Sequence, residues 1–207
     1  MSTTICTPSL SDPAAWHRFP CEVGDSLIIT GDLSPRRDIA RAQLDDWIAL
    51  GVTDIVDVRV EWNDENFVAA HASDIRYHWV GTDDNGGDRH DSWFDRVLHS
   101  LGSALFDPSA VVLVHCHMGV NRGPSMALRI MLEQGWDAID ALEAMRAARP
   151  IANVLYAESA VDHFHRSNES SVAERINDVR RVRDWRDANA IDVSWIISGI
   201  RRADDDD

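Results

Sequence analysis

A cysteine and an arginine, separated by five residues, stand between an apolar run and a helical pattern. The run 111–114 leads into Cys116, and Arg122 completes the Cys-x5-Arg spacing. A loop between a strand and a helix can hold a phosphate, because its N–H groups and the helix N-terminus point at the anion. The planar guanidinium of an arginine binds two phosphate oxygens. We therefore expect a phosphate-binding loop made of His117, Met118, Gly119, Val120, Asn121 and Arg122.

Cys116 is the candidate nucleophile of this loop. Converging N–H groups, a helix N-terminus and an arginine all favour the thiolate form of a cysteine. The thiolate would attack phosphorus in line, while Arg122 and the loop stabilise the equatorial oxygens. Gly119 permits a sharp turn close to the phosphate. His115 is expected to orient the loop through hydrogen bonds rather than to act as a base.

The oxygen that leaves phosphorus needs a proton from another element. The acidic loop 83–88 follows a predicted strand and precedes a predicted helix, so we expect it at the same edge of the sheet. The candidate acids are Asp83, Asp84 and Asp88, with His78, His90 and His117 as alternatives.

The hydrophobic periodicity predicts strands that alternate with helices. Strands are predicted at 27–30, 55–58, 75–80 and 111–114, and helices at 38–50, 92–105, 138–149 and 156–166, with another after the cysteine loop. This order is typical of an α/β fold with a central, mainly parallel sheet flanked by helices, and it predicts the Cys-x5-Arg loop between a strand and a helix.

The predicted domains are a catalytic domain over 1–166 and a helical extension over 167–207. The catalytic domain would begin with an irregular lead-in at 1–25, and the extension would end in an acidic tail. An apolar stripe in the extension is expected to pack onto the catalytic domain. Alternatively, residues 172–200 could mediate self-association.

The formal net charge of −15 argues against nucleic acids and anionic membranes as partners. No apolar run reaches the length of a membrane span, and no secretory signal is recognised. Three cysteines in such a chain favour reduced thiols and a cytoplasmic location. No cofactor is expected, and a metal site at His115, Cys116 and His117 is disfavoured because neighbours in a tight loop rarely converge on one ion. The expected partner is a phosphorylated protein or a small-molecule phosphate.

The stretch His-Cys-x-x-Gly-x-x-Arg at 115–122 resembles the phosphate-binding loop of the dual-specificity group of cysteine-dependent protein tyrosine phosphatases. Asp84-Asn85 followed by Trp93-Phe94 is similar to that family's general-acid loop and next helix, and the match covers roughly 25–166. The separation of Asp84 from Cys116, 116 − 84 = 32 residues, is typical of that family, so the resemblance implies Asp84 as the acid rather than Asp83 or Asp88. The resemblance implies a phosphocysteine intermediate and a phosphorylated protein substrate.

Gly123 departs from the family pattern, which has Ser or Thr directly after the arginine. That hydroxyl stabilises the thiolate when the phosphocysteine breaks down, so its absence implies slower turnover or replacement by Ser125 or a water. Two other functions stay open: a phosphate-binding interaction module with weak activity, and a sulfurtransferase-like persulfide carrier on Cys116.

Overall fold

The computed structural model describes residues 8, 9 and 11–205 of the chain. Five strands form one sheet in the order β1-β2-β5-β3-β4, and only β1 runs antiparallel to its neighbour. The strands are β1 Cys21–Val23, β2 Leu27–Thr30, β3 Asp54–Arg59, β4 Arg76–Thr82 and β5 Val112–His115.

Helices cover both faces of this sheet. They are α1 Pro13–His17, α2 Arg37–Ala49, α3 Glu65–His71, α4 Asp91–Leu101, α5 Arg122–Glu133, α6 Ala138–Ala148, α7 Ala157–Ser167, α8 Val172–Ala188 and α9 Val193–Asp205, and a short 3-10 turn Gly102–Leu105 extends α4. The structure confirms the predicted α/β class with its mostly parallel sheet.

Side chains of the central strands alternate between two apolar layers. In β5, Val112 and Val114 face a large cluster with α4, α5 and α7, whereas Leu113 faces a smaller one with Trp47 of α2. All three strand residues are buried. This two-sided burial explains why the central strands are continuous apolar runs in the sequence.

The parallel register brings three loops together. His115, the last residue of β5, is paired with Thr30 at the end of β2 and with Asp57 near the end of β3. The segments after these three strands therefore meet at one edge of the sheet, and the Cys-x5-Arg loop lies among them.

Two expectations about elements are wrong. The lead-in 1–25 is not irregular where the structure describes it, since it contains α1 and β1. Asp12 caps α1 through hydrogen bonds to two N–H groups, and β1 adds to the sheet edge. Helix α3 was not expected because its apolar residues make too short a periodic pattern. Cys6 and the last two residues of the acidic tail lie outside the described residues.

The C-terminal helices pack onto the rest of the chain. Val182 of α8 is buried in the large cluster, and Ile196 and Ile200 of α9 are buried against Trp16. The expected packing of the apolar stripe is thus found at Val182, whereas Ile176 is 61% exposed. The buried residues of α9 are not available for the self-association predicted through 172–200. Within the described residues no helix has both the length and the apolar character that crossing a bilayer requires.

Candidate active site

The carbonyl groups of the Cys-x5-Arg loop accept hydrogen bonds from groups around the loop. The carbonyl of His117 accepts from Asp32 N–H at 3.0 Å, and that of Val120 accepts from Asn153 N–H at 2.8 Å. The carbonyl of Asn121 accepts from Ser125, through its N–H at 3.0 Å and its hydroxyl at 2.8 Å. A trans peptide directs its N–H opposite to its carbonyl, so these bonds turn the loop's N–H groups the other way.

Arg149 holds the two remaining loop carbonyls. This fully buried guanidinium donates to the carbonyl of Gly119 at 2.7 Å and to that of Met118 at 3.1 Å. Gly119 adopts φ = +63°, and an added Cβ would lie 2.6 Å from the carbonyl oxygen of Thr30. Among the described residues, the N–H groups of 118–121 donate no hydrogen bond to the protein. The loop is therefore built as a cradle for an anion.

Arg122 presents one edge of its guanidinium to Glu61. Nη1 and Nη2 contact the two carboxylate oxygens at 2.9 and 3.0 Å, and Nη1 also donates to the carbonyl of Thr82 at 2.9 Å. Nε has no hydrogen-bond partner among the described residues. An arginine has five N–H donors, so Nε–H and one Nη2–H are left, and together they form the side-on fork that binds a phosphate.

The Glu61–Arg122 pair keeps both groups charged. Burial alone would lower the pKa of Arg122, but the hydrogen bond to Glu61 and the nearby negative charges raise it overall. Burial would raise the pKa of Glu61, but the hydrogen bond from Arg122 lowers it below its usual value. The guanidinium is thus positioned and charged before any substrate binds.

Asp84 is held over the loop by two side chains. Its Oδ1 accepts from the Tyr156 hydroxyl at 2.5 Å, and its Oδ2 accepts from Asn121 Nδ2 at 3.2 Å. Its Oδ2 is 3.8 Å from Nε of Arg122. Burial and the hydrogen bond to Asp84 raise the pKa of Tyr156 to about 12, so the phenol stays a donor at neutral pH.

One cavity of about 270 Å³ gathers the predicted groups. Its lining comprises Glu61, Asp84, Cys116, His117, Met118, Val120, Asn121, Arg122, Ile197 and Arg201. The nucleophile, arginine and acid selected from the sequence therefore meet in one cavity. A larger cavity of about 490 Å³ lies beside it and shares only His117 with its lining.

Ser125 is engaged by the backbone and does not point at the nucleophile. Its hydroxyl donates to the carbonyl of Asn121 at 2.8 Å and accepts from the N–H of Tyr156 at 3.0 Å. It therefore stabilises the loop, and it is not free to supply the hydroxyl missing at position 123.

The expected hydrogen-bonding role of His115 is not found. The ring is buried, and neither of its nitrogens has a hydrogen-bond partner among the described residues. It packs beside Trp47, with ring centroids 5.9 Å apart, and the nearest carboxylate oxygen, on Asp57, is 3.9 Å away. Burial lowers the pKa of His115, so the ring acts as a neutral packing residue.

His117 binds Asp32 instead of pointing into the loop. Its Nδ1 lies 2.7 Å from Oδ2 of Asp32, and His17 brings a third group that could ligate a metal within the same cluster. Guanidinium groups of Arg59 and Arg18 already lie 3.3 and 3.6 Å from Asp32. These cations offset the charge that would attract a metal ion, so we interpret the cluster as a hydrogen-bonded support of the loop.

The other candidate acids are engaged elsewhere or exposed. His78 binds Asp54 at the amino end of β3, away from the loop, and His90 caps the start of α4. Asp83 and Asp88 are exposed and do not line the cavity of Cys116.

Four residues of the site were not found by sequence reasoning. They are Glu61, Tyr156, Arg149 and Arg201. Only Glu61 carried a usable signal, because it follows β3 closely and must lie at the same sheet edge. The other three come from segments distant in sequence from the loop that they contact.

Comparisons with known proteins identify the family and the fold of the chain. A family model, described as the catalytic domain of dual specificity phosphatases, matches residues 40–160. Dual specificity protein phosphatase 13B of Mus musculus is 30% identical over 139 residues, which cover 63% of this chain and 64% of that protein. The chain's match therefore spans just under two thirds of that relative's length.

Phosphatases are among the solved structures with similar folds. Human DUSP28 matches with a TM-score of 0.57 and 16% identity, over 72% of this chain and 95% of that one. PTPMT1, solved in complex with PI(5)P, matches with a TM-score of 0.52 and 15% identity, over 73% of this chain and 99% of that one. At these identities the similarity concerns the fold.

Proposed function

Since the chain belongs to the dual-specificity phosphatase family, we propose that it hydrolyses phosphorylated proteins through a phosphocysteine intermediate. The observation that carries this proposal is the single cavity lined by Cys116, Arg122 and Asp84. A phosphate-binding module would need the cradle alone, and a persulfide carrier would need neither the acid nor the arginine.

In the first proposed step, the Cys116 thiolate attacks phosphorus. An S–P bond forms, the bond between phosphorus and the substrate oxygen breaks, and Asp84 donates its proton to the departing oxygen. The side-on fork of Arg122 and the loop N–H groups bind the equatorial oxygens, where negative charge accumulates.

In the second proposed step, water hydrolyses the phosphocysteine. Asp84, now a carboxylate, accepts a proton from the attacking water, the P–O bond forms, and the S–P bond breaks to regenerate the thiolate. Tyr156 and Asn121 hold the Asp84 side chain in place through the hydrogen bonds described above.

The nucleophile is tested by Cys116→Ser. The wild type should hydrolyse an aryl phosphate without added metal, and the variant should lose at least about a thousandfold in kcat. Inorganic phosphate should still bind the variant in calorimetry, because the cradle is made of backbone and Arg122. Mass spectrometry of acid-quenched wild type should detect one added phosphoryl group, and substantial turnover by the variant would exclude Cys116 as nucleophile.

The substrate class is tested with a panel of phosphorylated compounds. Peptides carrying phosphotyrosine, phosphoserine or phosphothreonine are compared with PI(5)P, the ligand in the structure of PTPMT1. We expect higher kcat/KM on the peptides, since the loop side chains His117, Met118 and Val120 add no permanent positive charge for a lipid headgroup. A clear preference for PI(5)P would exclude the protein substrate while leaving the hydrolytic chemistry intact.

A further inference from the structure

The C-terminal helix α9 forms part of the wall of the active-site cavity. Its buried face carries Ile196 and Ile200, which belong to one apolar cluster with Val120 of the phosphate loop. Residues four apart lie on the same face of a helix, so the two isoleucines fix the rotation of α9 about its axis.

Two further contacts fix α9 against α1. An added Cβ at Gly199 would lie 2.5 Å from Cγ of Pro13, which shows how closely the helices approach. Near the end of α9, Asp204 accepts from Arg18 Nη1 at 2.8 Å. The helix is thus held by apolar packing, by a close backbone approach and by an ion pair.

This packing of α9 turns Ile197 and Arg201 toward the cavity of Cys116. Each follows one of the buried isoleucines by one position, and both line the cavity together with Cys116 and Arg122. Val120 links the two features, since it packs on α9 and also lines the cavity. A segment at the far end of the chain therefore contributes directly to the substrate site.

Arg122 and Arg201 both line this cavity, but their surroundings differ. Arg122 pairs with Glu61 and lies near Asp84, and its free fork is aimed at the scissile phosphate. Arg201 is exposed, and its guanidinium makes no hydrogen bond or ion pair with residues 11–204. In a chain with a formal charge of −15, an arginine in the same cavity as Cys116 gives a local attraction for anions that the surface as a whole lacks.

We propose that Arg201 binds a second anionic group of the substrate, next to the scissile phosphate. The substrate class is a phosphopeptide that carries a carboxylate or a second phosphate beside the phosphorylated residue. This inference rests on the proposed function, which it extends to the choice among phosphopeptides. Ile197, on the same helix face, packs against the uncharged part of the bound segment.

The test compares Arg201→Gln with Arg202→Gln. Arg202 is the exposed neighbour on α9 and does not line the cavity, so both variants lose the same formal charge. Three phosphotyrosine peptides are used, with flanking glutamines, flanking glutamates or a second phosphorylated residue. We expect Arg201→Gln to lower kcat/KM on one or both acidic peptides by about tenfold and on the neutral peptide by less than about twofold.

The controls separate this inference from the proposed function. Arg202→Gln should stay within about twofold of wild type on every peptide, and Arg201→Lys should recover part of the loss. The affinities of the same peptides are measured by calorimetry in the Cys116→Ser background, so that a lack of peptide hydrolysis would count only against the proposed function. Equal losses by Arg201→Gln on neutral and acidic peptides, or equal losses by the two glutamine variants, would overturn the role of Arg201.

Discussion

Position 123 brings the backbone close to the nucleophile. A Cβ added at Gly123 would lie 3.2 Å from the N of Cys116 and 3.5 Å from its Sγ. A serine hydroxyl at this position would therefore lie beside the sulfur. Ser125 cannot substitute, because its hydroxyl already binds the carbonyl of Asn121 and the N–H of Tyr156. At the scale of single residues, this site has the groups for forming a phosphocysteine and lacks a side-chain hydroxyl that would assist its breakdown.

We predict that Gly123→Ser accelerates the second chemical step. Wild type should show a burst of aryl alcohol followed by slower turnover, because we expect the proposed phosphocysteine to break down more slowly than it forms. Gly123→Ser should raise the steady-state rate about threefold to tenfold, equivalent to about one neutral hydrogen bond, and reduce the burst. Stopped-flow absorbance measures both phases. Gly123→Ala adds the same Cβ without a hydroxyl, so an equal gain in that variant would contradict the explanation.

The loop between β4 and α4 delivers Asp84 because other elements immobilise it. The N–H of Gly86 donates to the Tyr156 hydroxyl at 3.2 Å, and the guanidinium of Arg89 stacks on the Tyr156 ring at 4.3 Å. Arg89 also donates to the Thr82 hydroxyl at 3.2 Å and to the loop carbonyl of Gly87. At the scale of elements, the start of α7 therefore positions the loop of Asp84 over the loop of Cys116.

We predict that Tyr156→Phe slows the reaction chiefly on poor leaving groups. Loss of the phenol releases one oxygen of Asp84 and the N–H of Gly86, so the acid is less well placed to protonate an alkyl or phenyl oxygen. The kcat for phenyl phosphate should fall about fivefold to tenfold, and that for a nitrophenyl phosphate by less than about twofold. Asp84→Asn should show the same dependence of kcat on the leaving group, but more strongly. Asp83→Asn should leave kcat independent of that choice of leaving group, as in wild type. A uniform loss across leaving groups would indicate general loosening of the loop.

A buried charge network lies beneath the catalytic edge of the sheet. Arg59 contacts Asp57 at 2.7 Å, Asp64 at 2.6 Å and Asp32 at 3.3 Å, and Tyr77 donates to Asp57 at 2.6 Å. Asp32 in turn binds His117 of the phosphate loop. At the scale of the whole molecule, this network joins the loops after β2, β3 and β5, so the stability of the fold and the shape of the site depend on the same ions.

We predict that the free energy of unfolding falls steeply below about pH 4. Burial would raise the pKa values of Asp32 and Asp57, but hydrogen bonds and nearby positive charges lower both overall. A carboxyl whose pKa is lower in the folded state stabilises the fold above its unfolded pKa of about 3.9, and this stabilisation is lost as the pH falls through the folded value.

Urea unfolding between pH 6 and pH 3 measures this effect. Above pH 4, protonation of other acidic groups relieves the charge repulsion in a chain with net charge −15. This relief raises the free energy of unfolding as the pH falls, opposite to the effect of Asp32 and Asp57. Tyr77→Phe removes one of the hydrogen bonds that lower the pKa of Asp57, so its unfolding free energy should depend less on pH. If the unfolding free energies of Tyr77→Phe and wild type depend equally on pH, Asp57 does not contribute to the loss of stability at low pH.

The contiguous features of the chain were predictable from its residues alone. The apolar runs of the central strands and the periodic helices α2, α4 and α5 predict the α/β order, because each pattern lies within one short segment. The Cys-x5-Arg loop is also contiguous. The order of strands and helices was enough to predict that the loop 83–88 lies at the same edge of the sheet as the Cys-x5-Arg loop. The resemblance to a known family then selected Asp84 from three similar aspartates.

Only the tertiary structure shows the contacts between segments that are distant along the chain. The contact of Glu61 with Arg122, that of Tyr156 with Asp84, and the place of Arg201 in the cavity of Cys116 depend on how loops and helices pack. Local periodicity does not encode such packing. The same cause explains the errors: α1 and β1 are too short for a periodic signal, and His115 is enclosed by packing from both sides. The sequence by itself therefore determined the candidate nucleophile and the cradle for an anion. Packing determined what holds the candidate acid and which side chains line the remainder of the cavity.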